Sequence, residues 1–350
     1  MAAEVGKVAS IAAASIGKIM GVAEASIGKM VGVAMPAGGG FPLVGWSYRK
    51  SITLSRASGA VNNYQMKLLV GESSGATGED VDCGGHVAAD FDDLRFTTSD
   101  GSTLLDYWIE SVSGATPNCL ATVWIEFNTI GTGATTFYMY YGGTETAVSS
   151  GANTFIVFDD FERGANDDGV GGIWTEDTGH SHISTDHAYG GSRSVKMIGS
   201  TGTISFNGPV TLGDIAINFR VWKEDNPDSV YIIGNGTKIA YVKIDTNENL
   251  CYYNGSSWID TTKNVAKDAW GKIELRNFDF SSAFTYDLYS DDVLAKTDAN
   301  IFNNALTANT WYFQMYTSGN GNDSYYDNFI VRQFLKVEPA WGSWGSEESA

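Results

Sequence analysis

Five carboxylates are the strongest candidates for chemistry in this sequence of 350 residues. Asp159, Asp160 and Glu162 follow one predicted strand, and Asp323 and Asp327 precede the last predicted strand of the same region. Carboxylate oxygens grouped with backbone carbonyls are the ligands that Ca²⁺ takes in proteins. The two segments are therefore candidates for a structural calcium site if the fold brings them together. Without a metal, Asp160 and Asp327 would instead accept hydrogen bonds from turn amides.

Three aromatic side chains form a second candidate site, for binding sugars. Tyr252, Tyr253 and Trp258 stand in the segment Tyr-Tyr-Asn-Gly-Ser-Ser-Trp. The apolar face of an aromatic ring suits the face of a pyranose, so these rings could stack on a glycan. Asn-Gly is also a strong signal for a tight hairpin turn. Two interpretations stay open: a glycan-binding hairpin, or a hairpin tip without a ligand.

Two further clusters are weaker candidates. His180, His182 and His187 could bind zinc, because a His-x-His pair on a strand projects to one face, but a surface loop is the more ordinary interpretation. The segment Asp90-Phe91-Asp92-Asp93-Leu94-Arg95-Phe96 could place its acids around a metal or a reaction. The favoured interpretation is that its three apolar residues face the core, while the acids cap a turn and Arg95 pairs locally.

Glycan hydrolysis is the enzymatic alternative. Asp106 and Glu110 would share one face of a strand, and Glu274 is the most inward-looking acid of a central strand. A glycosidase needs two carboxylates across a cleft, one of them with a raised pKa, and the sequence indicates neither. It also contains no Ser-His-Asp order, nucleophile elbow or phosphate-binding loop. We therefore predict no enzymatic activity.

The composition predicts a mainly β protein, which would hold these residues on strands and hairpins. The chain has 41 Gly and 6 Pro, and 13% of its residues are aromatic. A formal net charge of −19 argues against nucleic acid as a partner, because phosphates are bound by Lys and Arg. Cys83, Cys119 and Cys251 lack any metal-binding spacing, and a disulfide between Cys83 and Cys119 stays open.

An eleven-residue repeat occupies residues 1–35, where segments 4–8, 15–19 and 26–30 correspond. A helix with this period would carry one apolar stripe, but each interior glycine costs about 1 kcal/mol relative to alanine. Short strands wound into a fibre, or disorder, are the alternatives. Because either ordered form needs a partner surface, we predict oligomerisation. The predicted oligomerisation residues are Val5, Val8, Ile11, Ile16, Ile19, Val22, Ile27, Met30 and Val33.

The repeat is a poor signal peptide and a poor membrane span. Lys7, Lys18 and Lys29 interrupt its apolar segments. A Gly- and Pro-rich linker follows at residues 36–43. A repetitive β protein of this kind could be made in the cytoplasm and released by lysis, so we expect a virion or an extracellular surface as its location.

Residues 44–150 predict the first of two antiparallel β-sandwiches, because alternating apolar segments are separated by turn residues and crossover helices are absent. Residues 65–70 and 121–127 are two of the predicted strands. Five motifs in this order resemble the DUF2341 family. The resemblance implies a β-sandwich found in surface and phage-like proteins, often beside lectin-like domains, and no established activity. The motifs are Gly45-Trp46-Ser47-Tyr48-Arg49-Lys50, Asp90-Phe91-Asp92-Asp93-Leu94-Arg95-Phe96, Leu105-Asp106-Tyr107-Trp108-Ile109-Glu110, Val123-Trp124-Ile125 and Phe137-Tyr138-Met139-Tyr140-Tyr141-Gly142.

Residues 151–335 predict a second sandwich of the jelly-roll type, with a strand about every ten residues, the first of them at residues 154–158. Segments 157–161, 270–274 and 325–331 resemble the first, central and last strands of laminin-G-like or concanavalin-like lectin domains. The resemblance implies that the first and last strands are neighbours. It would then bring the five carboxylates together at a junction where related jelly rolls often hold calcium.

The tail, residues 336–350, carries Trp341 and Trp344, which we expect to dock on a sandwich or on a neighbouring subunit. Together these features predict a non-enzymatic structural or display protein of a virion, such as a phage-like decoration, fibre or tail component, or of another extracellular assembly. It would self-associate through the repeat and bind glycans. The alternatives are a secreted cell-surface carbohydrate-binding adhesin and, with less support, a glycan hydrolase.

Overall fold

The structure is a computed structural model that describes residues 41–56, 59–144, 148–177, 179–199, 202–208, 214–224, 228–234, 238–280, 283–301, 311–318 and 322–350. The repeat residues from Val5 to Val33 lie outside these ranges. Their helical or β conformation and their role in oligomerisation therefore stay predictions.

The described residues form strands and one short helix. The first group is β1 (Tyr48–Ser55), β2 (Val61–Gly71), β3 (Val81–Asp82), β4 (Arg95–Thr97), β5 (Leu104–Leu105), β6 (Tyr107–Ser113), β7 (Leu120–Ile130), β8 (Thr135–Tyr141) and helix α1 (Gly151–Thr154). The second group is β9 (Val157–Asp159), β10 (Thr175–Glu176), β11 (Ser181–Ser184), β12 (Ser194–Met197), β13 (Thr203–Gly208), β14 (Ile215–Lys223), β15 (Asp228–Gly234), β16 (Lys238–Ile244), β17 (Asn249–Tyr253), β18 (Trp258–Asn264), β19 (Gly271–Asp279), β20 (Thr285–Ser290), β21 (Val293–Asn300), β22 (Trp311–Ser318) and β23 (Ser324–Gln333). The last two are β24 (Ala340–Trp344) and β25 (Glu348–Ser349).

Two sheets form the first sandwich. Sheet A has the strand order β24-β1-β8-β4-β5, with β25 also paired to β1, and sheet B has the order β3-β2-β7-β6. The alternation of β7 shows why this sequence makes a sandwich: Val123, Ile125 and Phe127 point into the core, whereas Trp124 and Glu126 point to the other face. The mainly β architecture with antiparallel sandwiches, as expected from the sequence, is confirmed.

The motif that starts at Asp90 has the structural role that we favoured. Phe91, Leu94 and Phe96 are all buried in the core of the first sandwich. The Asp93 carboxylate accepts hydrogen bonds from the backbone N–H groups of residues 88 and 142, at 3.0 and 2.8 Å. Arg95 is buried and donates to the backbone carbonyl of Leu94 at 2.6 Å. These contacts close a turn at the edge of the core.

The C-terminal tail belongs to the first sandwich. Strand β24 pairs with β1 in antiparallel register, with Leu54 opposite Trp341 and Ile52 opposite Trp344. Both tryptophans pack against the core between sheets A and B. The indole N–H of Trp341 also donates to the backbone carbonyl of Lys67 at 3.1 Å. The second sandwich is therefore inserted between β8 and β24 of the first.

The second sandwich also has two sheets. Sheet C has the order β11-β12-β23-β14-β19-β20-β21, with β9 paired to β23, and sheet D has the order β10-β13-β22-β15-β16-β17-β18. Aromatic rings fill the space between them: Phe313 and Phe329 lie 5.0 Å apart, and Phe206 contacts both. Asp159 on β9 lies opposite Phe329 on β23, so the first and last strands of this domain are neighbours.

Sheet B of the first sandwich faces sheet C of the second. Trp124 and Ile330, from the facing sheets, form a small apolar cluster with Phe155 of the connecting segment. Arg220 on β14 donates to the carboxylate of Glu110 on β6 at 2.6 Å. The two domains thus share a packed and ion-paired interface. No helix in the described part of the chain has the length and hydropathy that crossing a bilayer requires.

Candidate functional site

The outer face of sheet D carries a group of half-buried aromatic rings. We define the aromatic face as Tyr241, Lys243, Tyr253, Trp258 and Tyr316. These residues come from four strands, β16, β17, β18 and β22. Strand alternation places them outside, because their neighbours in the chain point into the core of the sandwich.

Three of the rings form a contiguous group at the β17–β18 hairpin. Tyr253 lies directly opposite Trp258 in the strand register. The ring of Tyr241 is 4.6 Å from that of Trp258 and 5.9 Å from that of Tyr253, and the last two rings are 5.5 Å apart. All three side chains are partly exposed. Such a group offers apolar ring faces to a ligand without unfolding any strand.

Polar groups border these rings. The Lys243 ammonium lies 4.9 Å from the centre of the Trp258 ring, as in a cation–π contact. The hydroxyls of Tyr241 and Tyr316 are 2.5 Å apart and meet across β15, which lies between their strands. The face therefore combines apolar ring surfaces with hydroxyl and ammonium donors, which is the combination that a sugar ring with its hydroxyls requires.

Tyr252 does not belong to this face. It is 7% exposed and packs in the core between sheets C and D. Because Tyr252 and Tyr253 are consecutive on one strand, they must point to opposite sides of the sheet. Its burial does not fit the predicted stacking on a sugar, whereas Tyr253 and Trp258 are exposed enough for it.

Sequence reasoning missed Tyr241 and Tyr316. Each alternates with buried neighbours on its own strand, so an outward direction could have been inferred. What the sequence lacked was the sheet order, which places β16 beside β17 and leaves only β15 between β16 and β22. Only that order brings these rings to the hairpin.

The carboxylate of Asp159 is occupied by protein donors. Arg163 binds both of its oxygens, at 2.6 and 2.9 Å. The indole N–H of Trp174 donates to Oδ2 at 2.8 Å, and the backbone N–H of Phe161 donates to Oδ1 at 2.8 Å. The predicted pairing of β9 with β23 exists, and Arg163 binds both oxygens of the Asp159 carboxylate.

The other predicted calcium ligands also bind protein groups. Glu162 accepts from the backbone N–H groups of Ser192 and Arg193, both at 2.7 Å. Asp323 pairs with Lys196 at 3.0 Å. Asp327 accepts three backbone N–H groups, and burial raises the pKa of Asp327 to about 7.

Asp160 is the fifth predicted calcium ligand. Its carboxylate accepts the backbone N–H of Glu162 at 3.2 Å, and burial raises the pKa of Asp160 above its ordinary value. Among the residues that the structure describes, no three His, Cys, Asp or Glu side chains are grouped so that they could hold a metal ion. The calcium site stays a prediction, and the contacts of these five side chains do not fit one shared ion.

The three histidines have separate partners. His180 lies 3.4 Å from Asp177, and His182 lies 3.3 Å from Asp167. The ring of His187 stacks on that of Trp222 with a centroid distance of 3.7 Å. They do not form the zinc site that the His-x-His spacing allowed.

Of the three acids considered for hydrolysis, Glu110 and Glu274 are ion-paired, whereas Asp106 is exposed. Glu274 accepts from Arg276 at 3.0 Å and from Arg332 at 3.4 Å. Burial alone would raise the pKa of Glu110, but the charges of Lys272 and Arg220 and two hydrogen bonds outweigh it and hold this pKa below its ordinary value. Both side chains therefore take part in ion pairs within the protein.

The family described as "Domain of unknown function (DUF2341)" matches residues 90–177. The match confirms the resemblance from Asp90 onward and continues past the predicted boundary at residue 150 into the second sandwich. A comparison with curated proteins finds no match.

Among solved structures, the chain is similar to a sialidase, with 8% identity, a TM-score of 0.38, and coverage of 77% of this chain and 23% of that one. It is also similar to a glycoside hydrolase family 16 endo-glucanase from Bacteroides ovatus, with 10% identity, a TM-score of 0.37, and coverage of 50% and 99%. A third is TmCBM61 in complex with β-1,4-galactotriose, with 10% identity, a TM-score of 0.28, and coverage of 46% and 86%. Similarity at this level assigns no function.

Proposed function

We propose that this chain is a carbohydrate-binding protein and that the aromatic face of sheet D is its binding surface. The observation that carries the proposal is the group of three partly exposed rings, Tyr241, Tyr253 and Trp258, within 6 Å of one another. A sugar ring presents an apolar face of C–H groups that packs on such rings. Its hydroxyls would then reach the Lys243 ammonium and the Tyr241–Tyr316 hydroxyl pair.

Trp258 is the residue whose loss tests this proposal best. Buried tryptophans at binding surfaces contribute about 2 kcal/mol or more, which corresponds to about 30-fold in affinity. We expect a glycan array to identify a ligand for the full chain and calorimetry to show this loss for Trp258→Ala. Trp270→Ala is the matched control, because Trp270 is a partly exposed tryptophan outside the face, near Tyr189.

Two results would contradict glycan binding at this face. A glycan array without any signal would remove the function itself. If Trp258→Ala and Trp270→Ala reduce the affinity for the ligand equally, or if neither variant reduces it, the binding surface lies elsewhere.

We propose further that the chain is a structural display component of a virion or of another extracellular assembly, joined to other copies through residues 1–35. The support is the eleven-residue repeat, whose apolar residues need a partner surface. Light scattering after size exclusion should give an oligomer for the full chain and a monomer for a chain that starts at Pro36. Monomers in both cases would overturn this part. A secreted surface adhesin is the alternative location for the same glycan-binding function.

We propose a non-enzymatic role. The ion pairs of Glu274 with Arg276 and Arg332 support it, because both arginines bind Oε1 of this carboxylate and would compete with a substrate for it. Incubation of the array ligand with the full chain should leave the ligand intact. Cleavage that disappears in Glu274→Gln would instead identify a hydrolase. The laminin-G-like character of residues 151–335 likewise stays a prediction.

A further inference from the structure

A cavity of about 410 Å³ lies where sheet B, sheet C and the segment before β24 meet. This volume is within the range of small-molecule sites, about 300–1,000 Å³. Both sandwiches contribute to its wall, with Lys67 and Trp124 from the first and Lys272 and Arg332 from the second. It is separate from the aromatic face, which belongs to sheet D.

One end of the cavity, around Arg332, is electrically balanced. Arg332, whose side chain is 4% exposed, pairs with Glu338 at 2.9 Å and with Glu274 at 3.4 Å. Arg276 pairs with the same oxygen of Glu274 at 3.0 Å. The Nε–H groups of Arg276 and Arg332 have no hydrogen-bond partner among the described residues, so donors outnumber acceptors here.

The mouth of the cavity carries an excess of positive charge. Lys67 and Lys272 both bind the carboxylate of Asp292, at 3.0 and 2.8 Å. Lys272 is 5% exposed, whereas Lys67 is 36% and Asp292 is 52% exposed, so the exposed pair forms the entrance and Lys272 lies inside. Two ammonium groups thus share one carboxylate, and the side chain that carries it is about half exposed to solvent.

The sign of this charge stands out against the rest of the protein. Four cationic and three anionic side chains line the cavity, in a chain whose formal net charge is −19. The protein as a whole is negatively charged, whereas the lining of this cavity is locally positive. An anion is therefore favoured in the cavity over the rest of the surface. Trp124 and Trp341 supply apolar wall beside these charges.

We propose that this interdomain cavity binds a small carboxylate-bearing molecule with a compact hydroxylated body, of the uronic-acid class. The ligand carboxylate would lie between the ammonium groups of Lys67 and Lys272, and the body would lie along the tryptophan wall. The site needs both sandwiches, so it exists only in the assembled two-domain chain. It does not depend on glycan binding by the aromatic face.

Calorimetry with sodium glucuronate tests the proposal, with glucose as the neutral analogue. Because glucose lacks the carboxylate and its charge-assisted contact, we expect it to bind at least about tenfold more weakly than glucuronate. Lys67→Gln should weaken glucuronate binding by about tenfold for the same reason. Lys336→Gln, an exposed lysine that does not line this cavity, is the control and should leave the affinity unchanged.

Asp292→Asn gives a result of opposite sign. It removes the carboxylate that competes with the ligand for both ammonium groups, so glucuronate should bind more tightly than to the unaltered chain. Trp258→Ala should leave glucuronate binding unchanged, which separates this site from the aromatic face. Any one of three results would overturn the proposal: no binding of glucuronate, equal affinity for glucose and glucuronate, or weaker binding of glucuronate by the Asp292→Asn variant.

Discussion

Replacing Arg220 with methionine should uncouple the two sandwiches and lower the stability of the chain. The Arg220 guanidinium donates to Glu110 at 2.6 Å, and the side chains are 16% and 6% exposed. The indole N–H of Trp124 donates to the other carboxylate oxygen at 2.9 Å. Methionine keeps most of the packing volume of Arg220 but leaves Glu110 buried without the guanidinium that binds it.

The magnitude follows from burial. Breaking a buried ion pair by removing one partner costs about 3–5 kcal/mol. The Trp124 donor and the charge of Lys272 remain near Glu110, so we expect the lower end, about 3 kcal/mol. Urea unfolding at pH 7, followed by tryptophan fluorescence, measures the loss. Arg193→Met removes a more exposed ion pair with Glu162 and should cost less than about 1 kcal/mol.

The pH dependence gives a second and sharper test. In the unaltered protein the pKa of Glu110 lies below its ordinary value of 4.5, so the pair contributes stability above that pH and loses it as the pH falls. In Arg220→Met, burial should raise this pKa, and proton uptake relieves the penalty as the pH falls. The stability deficit should therefore shrink between pH 7 and pH 4. A deficit that is below about 1 kcal/mol at pH 7, or that is constant with pH, would refute this reasoning.

Three more predictions concern other buried groups. Burial raises the pKa of Asp327 to about 7, so its contribution to stability is largest below its ordinary value of 3.8 and is lost as the pH rises toward 7. The Tm of Asp327→Asn should accordingly rise relative to that of the unaltered protein between pH 5 and pH 8, and a constant difference would count against it. Trp341→Ala should lower the free energy of unfolding by about 2 kcal/mol in urea titration, because this ring is only partly buried; an unchanged midpoint would show that β24 does not close the first core. Cys83, Cys119 and Cys251 have buried side chains, Cys83 and Cys119 form no disulfide, and burial raises the pKa of Cys83. Ellman's reagent should therefore label them only after denaturation, and fast labelling of the native chain would contradict this.

The local pattern of the sequence predicted the strands well, because apolar alternation has a period of two wherever one side of a sheet is buried. The predicted strand at residues 65–70 lies within β2, and that at residues 121–127 lies within β7. The predicted strand at residues 154–158 was less accurate, since Ser150 caps the short helix α1 before β9 begins at Val157. A four-residue helix is too short to show a helical period.

Long-range pairing could not be predicted in the same way. Trp341 and Trp344 were expected to dock, but nothing near them in the sequence indicates that their strand lies beside β1, almost three hundred positions away. The calcium cluster illustrates the opposite case. Neighbouring first and last strands were expected and occur, yet Arg163, four positions after Asp159, binds its carboxylate. A carboxylate followed by an arginine at this spacing was a local signal of an ion pair.

The insertion of one sandwich into the other has a consequence during translation. Strand β24 pairs with one edge of β1, but the ribosome makes the whole of the second sandwich before it makes β24. The nascent first sandwich therefore waits with an open edge strand, the kind of edge that recruits other chains. The inserted sandwich can close its own core in the meantime, since domains fold as units as they emerge. The first sandwich can therefore be completed only after the inserted sandwich has been synthesised.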